Sequence, residues 1–254
     1  MLKSLSTALD VLTKFTPRNP DWGLRELAKE MEMNHTVLYR ILKTFEDKGF
    51  LIQDELTKKY ELGSKIYDLL AVVQSKVNLS DLVVPLMKEL SEVIEETVFL
   101  TWKDGYHGKT VEISESTQQI KFAVSIGYKT PLYVGASTKV MMAFLDEKEQ
   151  LAIIKKGTEK FTDHTLVTEK EILSDLRKIK QAGWCYSEGE FAEDVFGIGV
   201  PIFGNGGKIV ASLTVAGPVY RIYEEKKKEC LKRLLDKKTE IEKHIKLLNC
   251  NTYH

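Results

Sequence analysis

The segment from Asn34 to Phe50 limits what this chain can become more than any other. Leu38, Ile41, Leu42 and Phe45 recur at the spacing of one helical face. Thr36, Tyr39, Arg40 and Lys43 fall on the opposite face, with no carboxylate among them. Asn34 suits the N-cap of such a helix and Gly49 the position just past its end. A helix that buries one stripe and shows hydroxyl, phenol, guanidinium and ammonium groups on the other fits a DNA major groove. The same pattern describes any amphipathic surface helix, so the neighbouring segments decide.

Residues 4–16 read as a helix, with Leu5, Ala8, Leu9, Leu12 and Phe15 at core spacing, ended by Pro17 and Pro20. Residues 24–31 read as a second, turning Leu24, Leu27, Ala28 and Met31 inward. Glu32-Met33 is short enough to make the pair a helix-turn-helix. After Gly49 the segments 50–53 and 59–62 read as paired strands around a turn at Asp54–Lys58. Three helices followed by a hairpin make a winged helix-turn-helix. On that fold Arg40 is the candidate base reader, because its planar fork can bond a guanine edge twice. His35 and Thr36 lie near the helix start, where free N–H groups help contact bases or phosphate. Tyr39 and Lys43 are candidates for the DNA backbone, as are Lys58 and Lys59 at the wing and, more weakly, Arg25.

Charge alone does not point to nucleic acid. The chain carries 37 basic and 37 acidic residues, and residues 1–62 hold ten of each sign. DNA binding then requires positive groups gathered on one face, since phosphate neutralisation depends on local contacts. At 254 residues and 29.0 kDa there is room for two modest domains. No apolar run is long enough to cross a bilayer, and the start lacks a signal-peptide core, so no membrane association is expected. Cys185, Cys230 and Cys250 form no CxxC pair and are odd in number, which favours a reducing cytoplasm. Neither a GxSxG nor a P-loop occurs, and the five histidines, His35, His107, His164, His244 and His254, lack metal-ligand spacing. No catalytic residue, metal or cofactor is expected, and Cys185 reads as a small buried hydrophobe.

Residues 64–77 read as a linking helix with Ile66, Leu69, Leu70 and Val73 on one side, and a further helix runs from about 79 to 95. Beyond Thr97 the pattern predicts strands at 97–102, 109–114, 120–125, 184–187, 195–202 and 208–216. It predicts helices at 138–145, 147–155 and 169–182, and a long last one at 222–248 whose lysines and glutamates form a solvated face. Gly204-Asn205-Gly206-Gly207 reads as a hairpin turn. The fold class is thus α+β in two domains: a winged helix-turn-helix at 1–62, a linker helix at 63–78, and an α/β domain with a mainly antiparallel sheet at 79–254.

The chain resembles the isocitrate lyase regulator (IclR) family of bacterial transcription factors. The residues that carry the resemblance run almost the whole length: Ser4–Leu12, Thr36–Leu42, Lys48–Phe50, Lys59–Gly63, Lys139–Leu145, Gly183-Trp184 with Glu190, Val200–Phe203 and Val215–Pro218. The resemblance implies a GAF-like effector-binding domain and a homodimer or homotetramer that binds a pseudo-palindromic double-stranded DNA operator and responds to a small metabolite, often an organic acid. It implies an effector site between the sheet and the loop before the helix containing Lys139. Carried onto this sequence, the site comprises Ala136 and Ser137 on that loop, with Ser187, Glu190, Gly197, Thr214 and Ala216 opposite. Many relatives have glycine where Thr138 stands, an acid at Ser187, and Cys and Ser at Gly197 and Ala216. Those departures argue against transferring any relative's ligand. A small acid and a larger aromatic compound both remain open, with Phe99, Phe122, Tyr128 and Tyr133 near the site. Two other readings stay beside this one: a metabolite sensor whose winged domain binds a protein partner, and a small-molecule enzyme.

Overall fold

A computed structural model describes residues 2–74 and 78–250. The chain divides into two compact units, Met1–Lys76 and Val77–His254.

In the first unit, helix α1 (Lys3–Thr13) precedes a two-residue strand, β1 (Asp21–Trp22). Helix α2 (Leu24–Glu30) and helix α3 (His35–Asp47) form the helix-turn-helix. Strands β2 (Leu51–Gln53) and β3 (Tyr60–Leu62) form the wing, and helix α4 (Lys65–Gln74) follows. The turn between α2 and α3 is tight because Glu32 takes a left-handed φ of 51°, letting the Met33 N–H reach the Ala28 carbonyl at 2.9 Å. Asn34 caps α3 by accepting the Thr36 N–H at 2.9 Å. At the other end Gly49 sits at φ 76°. Its N–H reaches the Glu46 carbonyl at 2.9 Å, and that of Phe50 reaches Phe45 at 2.9 Å. This is a Schellman cap, completed by the Phe45 and Phe50 rings at 6.0 Å.

The core of this unit gathers Val11, Phe15, Trp22, Leu27, Leu38, Leu42, Leu51 and Tyr60. Two expectations need correction. Leu5 and Leu9 are exposed, because α1 docks through its last turn, using Val11 with Leu12 and Phe15 rather than the Leu5–Leu9 stripe. The wing is also a three-stranded sheet in the order β1-β3-β2, since Asp21 and Trp22 pair with Glu61 and Tyr60. A strand of two residues is too short to show a period in sequence. The expected linker helix extends through residues 75–77, which lie outside the described residues.

The second unit opens with helix α5 (Leu79–Ile94). Strands β4 (Thr97–Asp104), β5 (His107–Ser114) and β6 (Lys129–Pro131) come next. Helices α6 (Ala136–Met142), α7 (Glu147–Lys155) and α8 (Glu169–Ala182) follow. Strands β7 (Cys185–Glu188), β8 (Val195–Phe203) and β9 (Ile209–Pro218) and helix α9 (Glu224–Leu247) complete it. The six strands form one antiparallel sheet, β6-β5-β4-β9-β8-β7. The segment 120–125 is not a strand; the edge is β6 instead. Its backbone is held differently, with the Phe122 carbonyl accepting from the Thr97 hydroxyl at 2.9 Å.

The two faces of this sheet differ in chemistry. One presents Val98, Leu100, Ile198, Val200, Leu213 and Val215 to α5 and α9, as a packed aliphatic core. Its contribution from α9 comes from Cys230, Leu234, Ile241 and Ile245, with Leu248 just past its end, while Leu235 is exposed. The other face carries Phe99, Thr101, Gly197, Gly199, Ser212 and Thr214, small or hydroxyl-bearing apart from Phe99, and faces α6. A second apolar cluster lies beyond it, built from Leu132–Val134 and α6, α7 and α8.

Gly63 shows how closely the wing is seated on the end of α3. Its N–H donates to the Phe50 carbonyl at 2.8 Å. A Cβ added there would overlap the Gly49 carbonyl oxygen. Gly63→Ala should therefore destabilise the first unit by about 1–3 kcal/mol through overpacking. Hydrogen exchange checks this: amides of Leu51–Leu62 should exchange faster, with those of β4, β8 and β9 unchanged.

Candidate DNA-contact helix and ligand cavity

Helix α3 turns Leu38 and Leu42 into the core and leaves His35, Thr36, Tyr39, Arg40 and Lys43 exposed. The expected polar face is therefore present as a surface. Its charges are not equally available. Lys43 reaches Glu46 at 3.1 Å and Asp47 at 3.5 Å, so the acidic end of the helix is less remote from it than the sequence suggests. The hydrogen bond to Glu46 raises the Lys43 pKa. Lys59 is likewise held by Asp21 at 2.6 Å, with its pKa raised chiefly by that bond. By contrast, Arg40 and Arg25 are exposed and form no salt bridge among the described residues. Lys58 stands in the wing turn at φ 58°. That turn is organised by Asp54, which accepts the N–H groups of Leu56 at 3.1 Å and Thr57 at 2.7 Å. Those bonds, led by the Thr57 N–H, lower the Asp54 pKa. Exposed ion pairs such as those of Lys43 and Lys59 are held weakly in water, so phosphate can displace them at little cost.

In the second unit a partly open cavity, about 510 Å³ with the open space at its mouth included, lies between the hydroxyl-bearing sheet face and the loop entering α6. Ala136, Ser137, Ser187, Gly197, Thr214 and Ala216 all line it. Five further phenylalanine and valine positions, Val124, Val134, Phe191, Val195 and Phe196, join them, with Phe99 and Phe122. Thr110 and Thr130 close the β5–β6 side. Alternation along β5 could have pointed to Thr110 once its pairing with Thr101 on β4 was known. Thr130 was hidden by the misplaced edge strand, and Phe191 by its position in an irregular loop. Tyr133 does not line the cavity; its hydroxyl accepts the Glu159 N–H at 2.6 Å. Tyr128 packs edge-on against Phe191 at 5.9 Å.

Gly197 and Gly199 let the loop approach the sheet. A Cβ on Gly199 would stand 2.8 Å from the Ala136 carbonyl oxygen, and one on Gly197 3.1 Å from the Ala136 Cβ. The loop turns at Gly135, φ 76°. α6 begins at Ala136, two residues earlier than the sequence pattern indicates.

Glu190 is the exception among the expected ligand residues: it does not line the cavity. Its carboxylate is turned behind the loop, accepting the Gly135 N–H at 3.3 Å and pairing with Lys139 at 2.5 Å. Lys139, 2% exposed, also pairs with Asp175 on α8 at 2.7 Å. A buried ammonium demands such partners, and that demand outweighs any pull of the cavity on Glu190. Burial opposes the charge on Lys139, but Cys185, Glu190 and Asp175 together raise its pKa above the ordinary 10.5. The Cys185 thiol is itself pushed up to about 12, first by burial. It is therefore neutral near pH 7, and the two carboxylates are what hold the ammonium. Thr162 and Thr165 fix the same loop, donating to the Gly189 carbonyl at 2.5 Å and the Glu190 carbonyl at 2.7 Å.

A helix-turn-helix with an open polar face, together with an α/β unit that holds a mainly apolar cavity with a few polar groups, is the construction of a ligand-responsive DNA-binding regulator. Comparison with known proteins agrees. Residues 71–243 match the model of the bacterial transcriptional regulator IclR C-terminal domain, and residues 4–55 that of the IclR helix-turn-helix domain. The chain belongs to the IclR family. It is 27% identical to the HTH-type transcriptional regulator KipR of Bacillus subtilis, over 96% of this chain and 97% of that protein. It is 29% identical to the HTH-type transcriptional regulator KdgR of Escherichia coli, over 82% and 79%. The crystal structure of Thermotoga maritima IclR superposes with a TM-score of 0.64 at 27% identity, covering 96% of this chain and 99% of that one.

The Lys139 cluster yields a prediction with a definite pH sign. Its contribution is complete below the ordinary lysine value and is lost only as pH rises through the higher folded one, so in the wild type it is constant around neutrality. Lys139→Met leaves two carboxylates without their cation and should cost about 3–5 kcal/mol near neutral pH. Protonation relieves that repulsion, so the deficit should shrink as pH falls. Urea denaturation of both proteins across a pH series reads this directly.

Proposed function

We propose that α3 reads the operator bases chiefly through Arg40, supported by His35 and Thr36 at its start, with Tyr39, Lys43, Arg25, Lys58 and Lys59 on the phosphate backbone. The observation that carries this reading is the inequality among the cations. Arg40 stands on the outward face of α3 with no carboxylate partner among the described residues, whereas Lys43 and Lys59 must first exchange an internal one. A guanidinium left unpaired on a helix with a buried opposite stripe has its fork available for a base edge.

The protein then acts in the cytoplasm as a homodimer or homotetramer on a pseudo-palindromic operator, two copies of α3 supplying the two half-sites. The outward apolar side chains of Leu5 and Leu9, 57% and 52% exposed, are consistent with self-association of the first unit. Within each chain, 1–62 is the DNA-binding domain, 63–78 the connecting helix and 79–254 the effector-binding domain. A small metabolite occupies the cavity against Ala136, Ser137, Ser187, Gly197, Thr214 and Ala216, while Glu190 positions the loop from behind. Control is a population shift: the ligand must favour one arrangement of the DNA-binding pair over another, by its difference in affinity for the two. No chemical turnover is part of this reading; the relatives named above are transcriptional regulators.

Fluorescence anisotropy with duplexes from the promoter next to the protein's own gene tests it. Arg40→Ala should weaken specific binding by roughly 1–3 kcal/mol, about fivefold to 150-fold, and flatten preference at one base position. Lys59→Ala should weaken all duplexes alike and reduce the salt dependence by about one phosphate contact or less. Equal losses on specific and random duplexes for Arg40→Ala would move that residue to the backbone. Binding without salt dependence would favour a protein partner.

A further inference from the structure

The walls of the cavity restrict what can occupy it. Rings run without a break from its floor towards the surface. The Phe99 and Phe122 centroids lie 5.8 Å apart, and those of Phe122 and Phe191 6.2 Å apart. Phe191 in turn meets Phe161 in a stacked contact at 5.9 Å. These are the separations at which aromatic rings attract one another beyond simple burial, and a flat ring entering the cavity would meet the same geometry.

Charge restricts the occupant further. No charged side chain lines the cavity among the described residues. The nearest buried cation, Lys139, is taken by two carboxylates. A ligand with several negative charges would bury them without compensation.

Of the buried hydroxyls without a partner among the described residues, those of Thr101, Ser212 and Thr214, only that of Thr214 belongs to the cavity wall. Thr214 is 1% exposed and its hydroxyl oxygen has no hydrogen-bond partner. It lines the cavity, between Phe99 on β4 and Gly199 on β8 in the strand register. Burying a hydroxyl without a partner is unfavourable, and a ligand group that pairs with it removes the penalty. A site of this kind discriminates strongly against an analogue lacking that group.

We infer that the effector is an aromatic compound with a hydrogen-bonding substituent and at most one negative charge, and that Thr214 reads the substituent. This rests on the reading of the cavity as the effector site. The test uses the full-length protein in thermal-shift and calorimetric titrations with benzoate, 4-hydroxybenzoate and phenylacetate, against succinate and gluconate. At least one aromatic acid should raise Tm while succinate and gluconate leave it unchanged. Thr214→Val should weaken that aromatic acid about tenfold or more, and Thr214→Ser should keep most of its affinity. If Thr214→Val does not fold, Phe122→Leu serves in its place and should weaken the aromatic acid alone.

Binding of succinate or gluconate in preference to every aromatic acid overturns the inference. So does absence of binding by all three aromatics, or an affinity indifferent to Thr214 and Phe122. Operator binding, followed in the same samples, separates this from the sensing role. Thr214-dependent aromatic binding that leaves operator affinity unaltered supports the ligand class and removes the sensing role. Operator release by gluconate supports sensing and removes the ligand class.

Discussion

The buried ammonium of Lys139 ties three separate parts of the second unit to one point. It belongs to α6, yet its partners come from α8 and from the loop before β8. One oxygen of Glu190 holds the cation while the other accepts the Gly135 N–H. The helix, the loop that enters it and the loop carrying Phe191 are thereby fixed to a common point. Burying charge is costly, and a triad of this kind need not be more stable than a packed apolar substitute. What it supplies is direction, since only one arrangement of the three elements satisfies both carboxylates. The cavity wall is the outer surface of that arrangement.

Because the cation is satisfied from behind, the cavity itself can be uncharged. The face of the sheet that borders it is equally particular. Toward α5 and α9 the strands present branched aliphatic side chains that fill space; toward α6 they present glycine, serine and threonine, which do not. The cavity is therefore the direct result of alternation along β4, β8 and β9, one face being packed and the other left low. The DNA-contact helix follows a similar logic in smaller form. Its inward stripe fixes it to the core, its capped ends fix its length, and its outward cations differ in how far neighbouring acids already occupy them.

Periodic signals were legible in the sequence. Residues 169–182 and 147–155 have the bounds that their caps and apolar spacing indicate, and the wing strands follow from alternation around Asp54–Lys58. Non-periodic features were not. The two residues of β1 carry no pattern, and 120–125 reads as a strand by composition although its carbonyl is taken by the Thr97 side chain. The Leu5–Leu9 stripe has helical spacing, yet which side of a helix meets the core is settled by tertiary packing. The cavity residues on regular elements were reached through the family resemblance. Glu190 was reached too, but its orientation depends on a lysine 51 positions away in sequence, which no local pattern encodes.

Gly199 sets a boundary on how such a cavity can be altered. Any side chain there meets the carbonyl of Ala136, which is main chain and cannot rotate aside. The floor is thus closed to substitution at Gly199, since a larger residue would push on the loop that enters α6 and so on the Lys139 anchor behind it. The rings around the mouth have no such restriction: Phe161 and Tyr128 are partly exposed and touch mainly one another's neighbours. A protein of this build can be retuned to new compounds from its rim inward, keeping the same base plate throughout.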